Sequence, residues 1–317
     1  MRLLLYRLLN YSVGLIPRTW LGYFLRALYM RPEVTDRIGY QVHPQVFYNP
    51  FPIPAEVDRA KLAAKRSLPA IDLAPDPVLA LLKTLAQYSG EVDLFFKNRT
   101  GNLRLWDDTY QPCDSAALYA MLRHLKPARY IEVGCGYSSR SSVAALNANK
   151  EEGYPCQSLF IEPYPAAHLK ELKLPGEFLQ KKIQEVPLER FQSLAAGDVL
   201  FIDTSHVIKV QNDVEHELIR ILPSLKPGVF VHIHDIFTPY DYPPEWLIGA
   251  GPNRGGCNEQ YALECLLSGG TDWEVVLPVY LLWREHRQDL AALIASEVRP
   301  ASFWLRKTAA RSQPALK

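Results

Sequence analysis

The five cysteines, at positions 113, 135, 156, 257 and 265, form no C-x-x-C pair and no set spaced with histidine. Neither a zinc site nor a disulfide framework is indicated, and a reducing compartment is expected. Charge of one sign is missing as well. Lysine plus arginine number 35 against 34 acidic residues, a net charge of +1, so no broad positive field gathers phosphates and nucleic acid is disfavoured as a partner. No run of about 18 uninterrupted apolar residues occurs, which argues against a spanning helix. No internal repeat is visible. What is there is ordinary globular composition, 48% hydrophobic and 22% charged over 317 residues, enough for one large domain or two small ones.

The opening is arginine-rich. Arg2, Arg7, Arg18, Arg26 and Arg31 stand among Leu, Tyr and Trp with no carboxylate. Arg7 and Asn10 interrupt what would be a signal peptide's apolar core, and no small-x-small cleavage site follows, so a leader is rejected. Residues 1–31 are read as a helix packed on its own domain or a partner, with a basic amphipathic segment on anionic lipid as the alternative. From 32 to 77 proline recurs, which predicts an extended arm. A helix over 76–90 follows, with Gly90 as its stop, then an aromatic stretch with Phe95, Phe96, Trp106 and Tyr110. Asp114 or Ser115 is expected to cap a helix over 116–125, ended by Pro127.

Beyond Pro127, strand and helix patterns alternate, which predicts a parallel sheet with right-handed crossovers. Strands are expected at 130–133, 158–161, 178–183, 198–202, 229–233, 273–282 and 302–305. Helices are expected at 138–150, 165–172, 213–222, 258–267 and 289–296.

The first of these strands runs into Glu132-Val133-Gly134-Cys135-Gly136-Tyr137-Ser138-Ser139. Gly134 and Gly136 permit a tight turn and close approach to a ligand, and the N–H groups at the helix start face it. In a dinucleotide-binding turn, a carboxylate at Glu132 would repel the pyrophosphate, and the third glycine is Ser139 here. A carboxylate in the turn suits a cationic ligand better. Glu162 ends the second strand, 26 residues after Gly136, about where this architecture sets an acidic residue on a ribose diol. Asp203 and Asp235 end adjacent predicted strands, about 4.8 Å apart, and can converge on one ion or hydroxyl. His206, three residues past Asp203, has the near-neutral pKa that a base for a hydroxyl needs. His232 and His234 share a face, and His232 reads as a core histidine. Tyr240, Tyr242, Trp246 and Arg254 either line a substrate lid or pack their loop down. Asp241-Tyr242-Pro243-Pro244 has the letters of an amino-methylating DNA-enzyme motif, but scrambled and after the wrong strand.

Taken together, E-V-G-C-G-Y-S-S, F-I-E-P, V-L-F-I-D-T-S-H and L-P-S-L-K-P-G-V-F-V-H-I-H-D resemble the class I S-adenosylmethionine (SAM) methyltransferases, and the trailing S-F-W-L-R fits that family's antiparallel last strand. The resemblance spans roughly residues 106–305 and is nearest the metal-dependent small-molecule and sugar O-methyltransferases. It implies a Rossmann-like, doubly wound sheet of seven strands at 106–317, behind a helical and proline-rich N-terminal extension at 1–105. It also implies SAM contacts from Glu132, Gly134, Gly136, Tyr137, Ser138 and Glu162. A divalent cation would lie on Asp203 and Asp235, and Asp203 and His206 would be catalytic, His206 as the base. At His234, where several relatives have a carboxylate or place Asp before Asn, this chain departs from the pattern, and its imidazole is the candidate third ligand. Imidazole at His234 is a softer ligand than Mg²⁺ prefers.

The expected function is therefore methyl transfer from SAM to a hydroxyl of a small acceptor, a sugar or glycoconjugate, in the cytoplasm or peripherally at the membrane's inner face. Expected partners are that acceptor and a second copy in a homo-oligomer, with a membrane surface as the alternative to packing for residues 1–31. One alternative is an NAD(P)-dependent Rossmann oxidoreductase, which a comparison of SAM and NAD binding separates. The other is a non-catalytic scaffold of the same fold, against which Asp203 and His206 argue.

Overall fold

The computed structural model describes residues 15–47, 49, 51–97, 110–248, 256–270 and 272–309. Chain contacts divide the protein into two compact units, Met1–Val57 and Asp58–Lys317. The boundary expected at 105/106 falls outside the described residues.

In the first unit, helix α1 (Arg18–Tyr29) begins after Pro17 and closes at Met30, whose N–H reaches the Arg26 carbonyl at 3.0 Å. A short helix, Pro32–Arg37, follows with proline in its first turn, where the missing N–H has no intrahelical partner to lose. The stretch expected as an extended arm is thus partly helical. In the second unit it is broken again by Arg59–Ala63, which Asp58 caps by accepting from Ala60 N at 2.9 Å and Lys61 N at 3.3 Å. Proline blocks helix interiors but not first turns, and both Pro32 and Pro75 open helices.

Helix α2 (Pro75–Leu85) buries Val78, Leu82 and Leu85, a spacing of three and four that turns one apolar stripe inward. Gly90 does not end the helical run. A 3₁₀ turn, Ala86–Tyr88, leads into a further helix, Ser89–Lys97, that contains it. Helix α3 (Pro112–Leu125) starts earlier than expected and without a side-chain cap. Asp114 lies inside it, wholly buried.

Seven strands form one sheet: β1 (Arg129–Val133), β2 (Gln157–Ile161), β3 (Glu177–Leu179), β4 (Val199–Ile202), β5 (Phe230–Ile233), β6 (Trp273–Pro278) and β7 (Phe303–Lys307), in the order β3-β2-β1-β4-β5-β7-β6. β1 to β5 are parallel, and β7 runs antiparallel to β5 and β6. This is the doubly wound arrangement of the class I methyltransferase fold. Alternation splits the core into two layers. Tyr130, Phe160, Phe201 and Trp304 pack with α2, α3 and helix α4 (Ser138–Glu151). Ile131, Val133, Leu200, Ile202, Val231 and Ile233 pack on the opposite face with helix α5 (Glu259–Gly269) and the segment after Asp213.

Other expected elements change character, and the strand over 178–183 ends already at Leu179, with a 3₁₀ turn at Ile183–Glu185. The strand over 273–282 stops at Pro278, which has no N–H to continue the ladder, and a helix, Val279–Glu285, takes over. The helix over 213–222 contains a π turn at Glu217–Ile221, a local widening common at functional sites. The chain passes from β1 to β2 on one side and returns to β4 on the other. A crevice therefore opens between β1 and β4 at the carboxyl edge, the topological switch point at which ligands bind in such sheets.

Candidate functional site

The turn after β1 is fixed by backbone contacts on both sides. Gly134 N–H donates to the Ile161 carbonyl and Asp203 N–H to the Val133 carbonyl, each at 3.0 Å. Gly134 has φ +82°, and a Cβ there would lie 1.7 Å from the Asp203 carbonyl oxygen, so only glycine fits. Its lack of a side chain serves the approach of β4 rather than of a ligand. Gly136 is the opposite case, because a Cβ at that position meets nothing within 4 Å.

Glu132 is not at the ligand face as expected. Alternation turns it, with Tyr130, into the core beneath α4. There its carboxylate accepts hydrogen bonds from Tyr130 Oη at 2.8 Å, Ser138 Oγ at 2.9 Å, Ser139 Oγ at 2.5 Å and Ser142 Oγ at 2.6 Å. Burial pushes its pKa up, against the pull of these hydroxyls. Glu132 therefore bolts the start of α4 to β1, and Ser139, standing where a dinucleotide turn has glycine, is one of the bolts. Ser138 is committed to the same carboxylate. Tyr137 is stacked on His168, ring centroids 4.1 Å apart, with the Arg140 guanidinium 4.9 Å from its ring.

A cleft of about 540 Å³ occupies the switch point, lined by Gly134, Glu162, Gln184, Asp203, Lys209 and Asn212 among others. Glu162 accepts from Tyr164 N at 2.6 Å. Burial raises its pKa and that N–H opposes the rise. A second hollow, of about 460 Å³, lies by Ile71 and Trp273 at the β6 side and takes in none of these groups.

Asp203 belongs both to this cleft and to a half-buried acid–imidazole cluster. His206 Nε2 lies 3.3 Å from Asp203 Oδ1 and 3.1 Å from Asp235 Oδ2, while its Nδ1 meets Glu259 Oε2 at 3.0 Å. His234 Nδ1 lies 3.6 Å from Asp203 Oδ1 and 3.5 Å from Asp235 Oδ1, and its Nε2 lies 3.4 Å from Asp114 Oδ2. Burial lowers the pKa of both histidines, but the surrounding carboxylates outweigh it, Asp235 first for His206 and Asp203 first for His234, so both stand well above the usual value. Burial raises Asp203, yet the two histidines hold it far below the usual range. Asp235 and Glu259 are raised, chiefly by burial. His206 and Asp235 have φ +56° and +58°, a conformation that non-glycine residues hold only where the surroundings impose it.

One atom each from Asp203, His206 and Asp235 lies within 4.8 Å of the other two. Two carboxylates and an imidazole, with more buried carboxylates than histidines around them, fit a divalent cation in donor type and in charge. His206, rather than His234, completes this group. His234 lies behind it, buried against the Tyr110 ring at 4.9 Å.

Two supporting residues went unread in the sequence. Asp114, expected as a helix cap, accepts from Ser302 N at 2.8 Å and Ala301 N at 2.9 Å beside His234. Glu259 opens α5 and braces His206, whose carbonyl also accepts from Asn258 N at 3.0 Å and Glu259 N at 3.2 Å. The one available signal was the Asn258-Glu259 pair at a predicted helix start. Glu217, turned inward by the π turn, accepts from Thr204 Oγ1 at 3.2 Å, and burial, then Glu259 and Asp213, push its pKa well up.

His232 is a core histidine. It stacks on Phe201 at 4.3 Å, shares a hydrogen bond with Ser302 Oγ at 3.0 Å, and is held by burial well below the usual pKa. Tyr240 and Tyr242 pack their loop down. Both are buried, and Tyr242 Oη accepts from Gln260 N at 2.9 Å. Trp246 stacks on Tyr242, centroids 6.2 Å apart. Arg254 lies outside the described residues.

Residues 131–236 match the family model described as a methyltransferase domain. This segment is a methyltransferase domain. It holds the turn at Gly134, the cleft, and both aspartates. An uncharacterised protein of Archaeoglobus fulgidus is 28% identical over 198 residues, covering 57% of this chain and 87% of its own length. Among solved structures, the chain is similar to TomG of Streptomyces achromogenes, an O-methyltransferase of tomaymycin synthesis in complex with SAM (TM-score 0.41, 16% identity, 72% of this chain and 89% of that one). It is also similar to CalS11, a TDP-rhamnose 3′-O-methyltransferase of calicheamicin biosynthesis (TM-score 0.37, 16% identity, 76% and 99%). Among the described residues of the protein, no helix is long and apolar enough to cross a membrane.

Proposed function

We propose that the protein transfers a methyl group from SAM to a hydroxyl of a small acceptor, a sugar or glycoconjugate, with a divalent cation held by Asp203 and Asp235. One observation carries the reading: Asp203 is shared between the switch-point cleft and the acid–imidazole cluster. Donor and acceptor therefore meet at one side chain. In this reading Glu162 hydrogen-bonds the ribose diol, the open space at Gly136 admits the cofactor, and Asp203 orients the acceptor oxygen. A bound cation would lower the pKa of that hydroxyl. His206 takes the proton at Nε2 while Glu259 holds Nδ1, the arrangement that fixes an imidazole's tautomer and direction. His206 is drawn above its usual pKa by the carboxylates, so it stays protonated near neutral pH until their charge is compensated. Holding the two reactants in line supplies much of the acceleration.

The 3.1 and 3.3 Å approaches of Nε2 to the aspartates also favour a second reading, in which His206 is a third ligand rather than the base. His206→Ala with metal analysis and labelled SAM decides between them. A base is lost with the cation retained and turnover down roughly 10²- to 10⁴-fold; a ligand is lost together with the cation. Turnover at the parental rate in His206→Ala sinks both. Failure of the parent to bind SAM in calorimetry removes the methyl-transfer reading itself.

A further inference from the structure

The first unit carries a feature that methyl transfer does not use. α1 reads Arg-Thr-Trp-Leu-Gly-Tyr-Phe-Leu-Arg-Ala-Leu-Tyr, and none of its residues is buried. At about 100° per residue, Arg18, Gly22 and Arg26 fall on one face, while Trp20, Phe24 and Leu28 fall on the other. Trp20, Tyr23 and Phe24 are 72%, 74% and 61% exposed, and Leu15 and Met30 at the two ends are 70% and 67% exposed. Large apolar faces left in water mark contact surfaces.

Charge identifies the occupant. The first 31 residues hold five arginines and no Asp or Glu. The first carboxylate, Glu33, is paired with Arg31. Because the whole chain carries only +1, this positive charge is local. A protein groove presents charges of both signs, whereas an anionic lipid surface presents one sign over a wide area, and Trp and Tyr favour its headgroup level. Length settles the mode. Twelve residues make about 18 Å of helix, well short of the roughly 30 Å hydrocarbon core.

We propose that α1 docks flat on anionic phospholipid bilayers. Trp20, Phe24 and Leu28 sink to the acyl boundary, and Arg18 and Arg26 lie among the phosphates. The proposal rests on no property of the cleft, so it stands or falls apart from methyl transfer.

The test is flotation of the full chain with vesicles of phosphatidylcholine containing phosphatidylglycerol, and with phosphatidylcholine alone. The parent should float with the anionic vesicles at low salt and release as salt rises. Arg18→Gln and Arg26→Gln should each weaken binding about fivefold, and Trp20→Ser with Phe24→Ser about tenfold or more. Equal binding to both vesicle types, or binding insensitive to salt, overturns the proposal without any variant. So does undiminished flotation of the Trp20/Phe24 double variant. If instead the parent ignores vesicles and is a dimer that this variant turns into a monomer, the face belongs to a second copy and the lipid assignment is wrong.

Discussion

Gly134 and Gly136 sit two residues apart in one turn, yet a methyl group added at each meets opposite surroundings. Alanine at 134 must keep φ near +82° with its Cβ 1.7 Å from the Asp203 carbonyl oxygen. The left-handed conformation costs about 1–2 kcal/mol. Overpacking costs about 1–3 kcal/mol. Relief moves the Asp203 peptide, whose N–H holds the Val133 carbonyl at 3.0 Å, and losing that bond adds roughly 1 kcal/mol. Gly134→Ala should therefore lose about 3–6 kcal/mol, a large share of the ~5–15 kcal/mol that holds a domain folded. Alanine at 136 enters open space, and its stability should stay within about 1 kcal/mol of the parent. Its SAM affinity should fall about tenfold or more, because the methyl group takes ligand space. Equilibrium urea unfolding reads the first effect and calorimetric titration the second. A parental midpoint in Gly134→Ala refutes the close approach of β4; parental SAM affinity in Gly136→Ala removes the turn from the ligand site.

Exhaustive chelation should abolish turnover while leaving SAM affinity nearly intact, and full activity afterwards would leave Asp203 and Asp235 with orienting roles only. Glu259→Gln keeps a hydrogen-bond acceptor for His206 but removes the charge, so turnover should fall roughly tenfold or more with SAM affinity unchanged; an unaltered pH–rate profile would count against the brace. Arg123, itself buried, pairs with the more exposed Glu91 at 2.7 Å and with Glu152, and Arg123→Met should cost about 2 kcal/mol, measured by urea unfolding. Arg123 holds Glu152 at about 2, and although burial raises Glu91, Arg123 and Tyr119 keep it below the usual value. Both carboxylates thus add stability that is complete above their unfolded pKa and lost as pH falls through the folded one. The parent's acid limb between about pH 4.5 and 2 should flatten in Arg123→Met, and an identical limb would refute the assignment.

The parallel strands β1, β2, β4 and β5 were legible because each is a short apolar run with a glycine or an acid within two residues of its carboxyl end, whereas β3, Glu-Phe-Leu at the sheet's edge, carries no such signal. The convergence of Asp203 and Asp235 was legible for a related reason, since residues that follow adjacent parallel strands meet at one edge, while His206 joins them through a loop held by the start of α5. Glu132 was misread because its place in the motif outweighed its place in the strand. Counting the alternation from Ile131 and Val133, which face the layer opposite α4, turns Glu132 towards the serines of α4, which its four hydroxyl partners bear out. That correction was available from period two alone. Asp114 was not available in this way. A buried aspartate in the first turn of a helix looks locally like a cap, and what makes it a brace for His234 is the chain at Ala301 and Ser302, close to two hundred residues away, whose N–H groups at 2.9 and 2.8 Å set its orientation. No local pattern encodes such a contact. It exists because β7 returns antiparallel beside β5, bringing the residues just before β7 next to His234 just after β5. The bracing of His234 is thus set by the one strand that runs against the rest, whereas Glu259 reaches His206 from the start of α5.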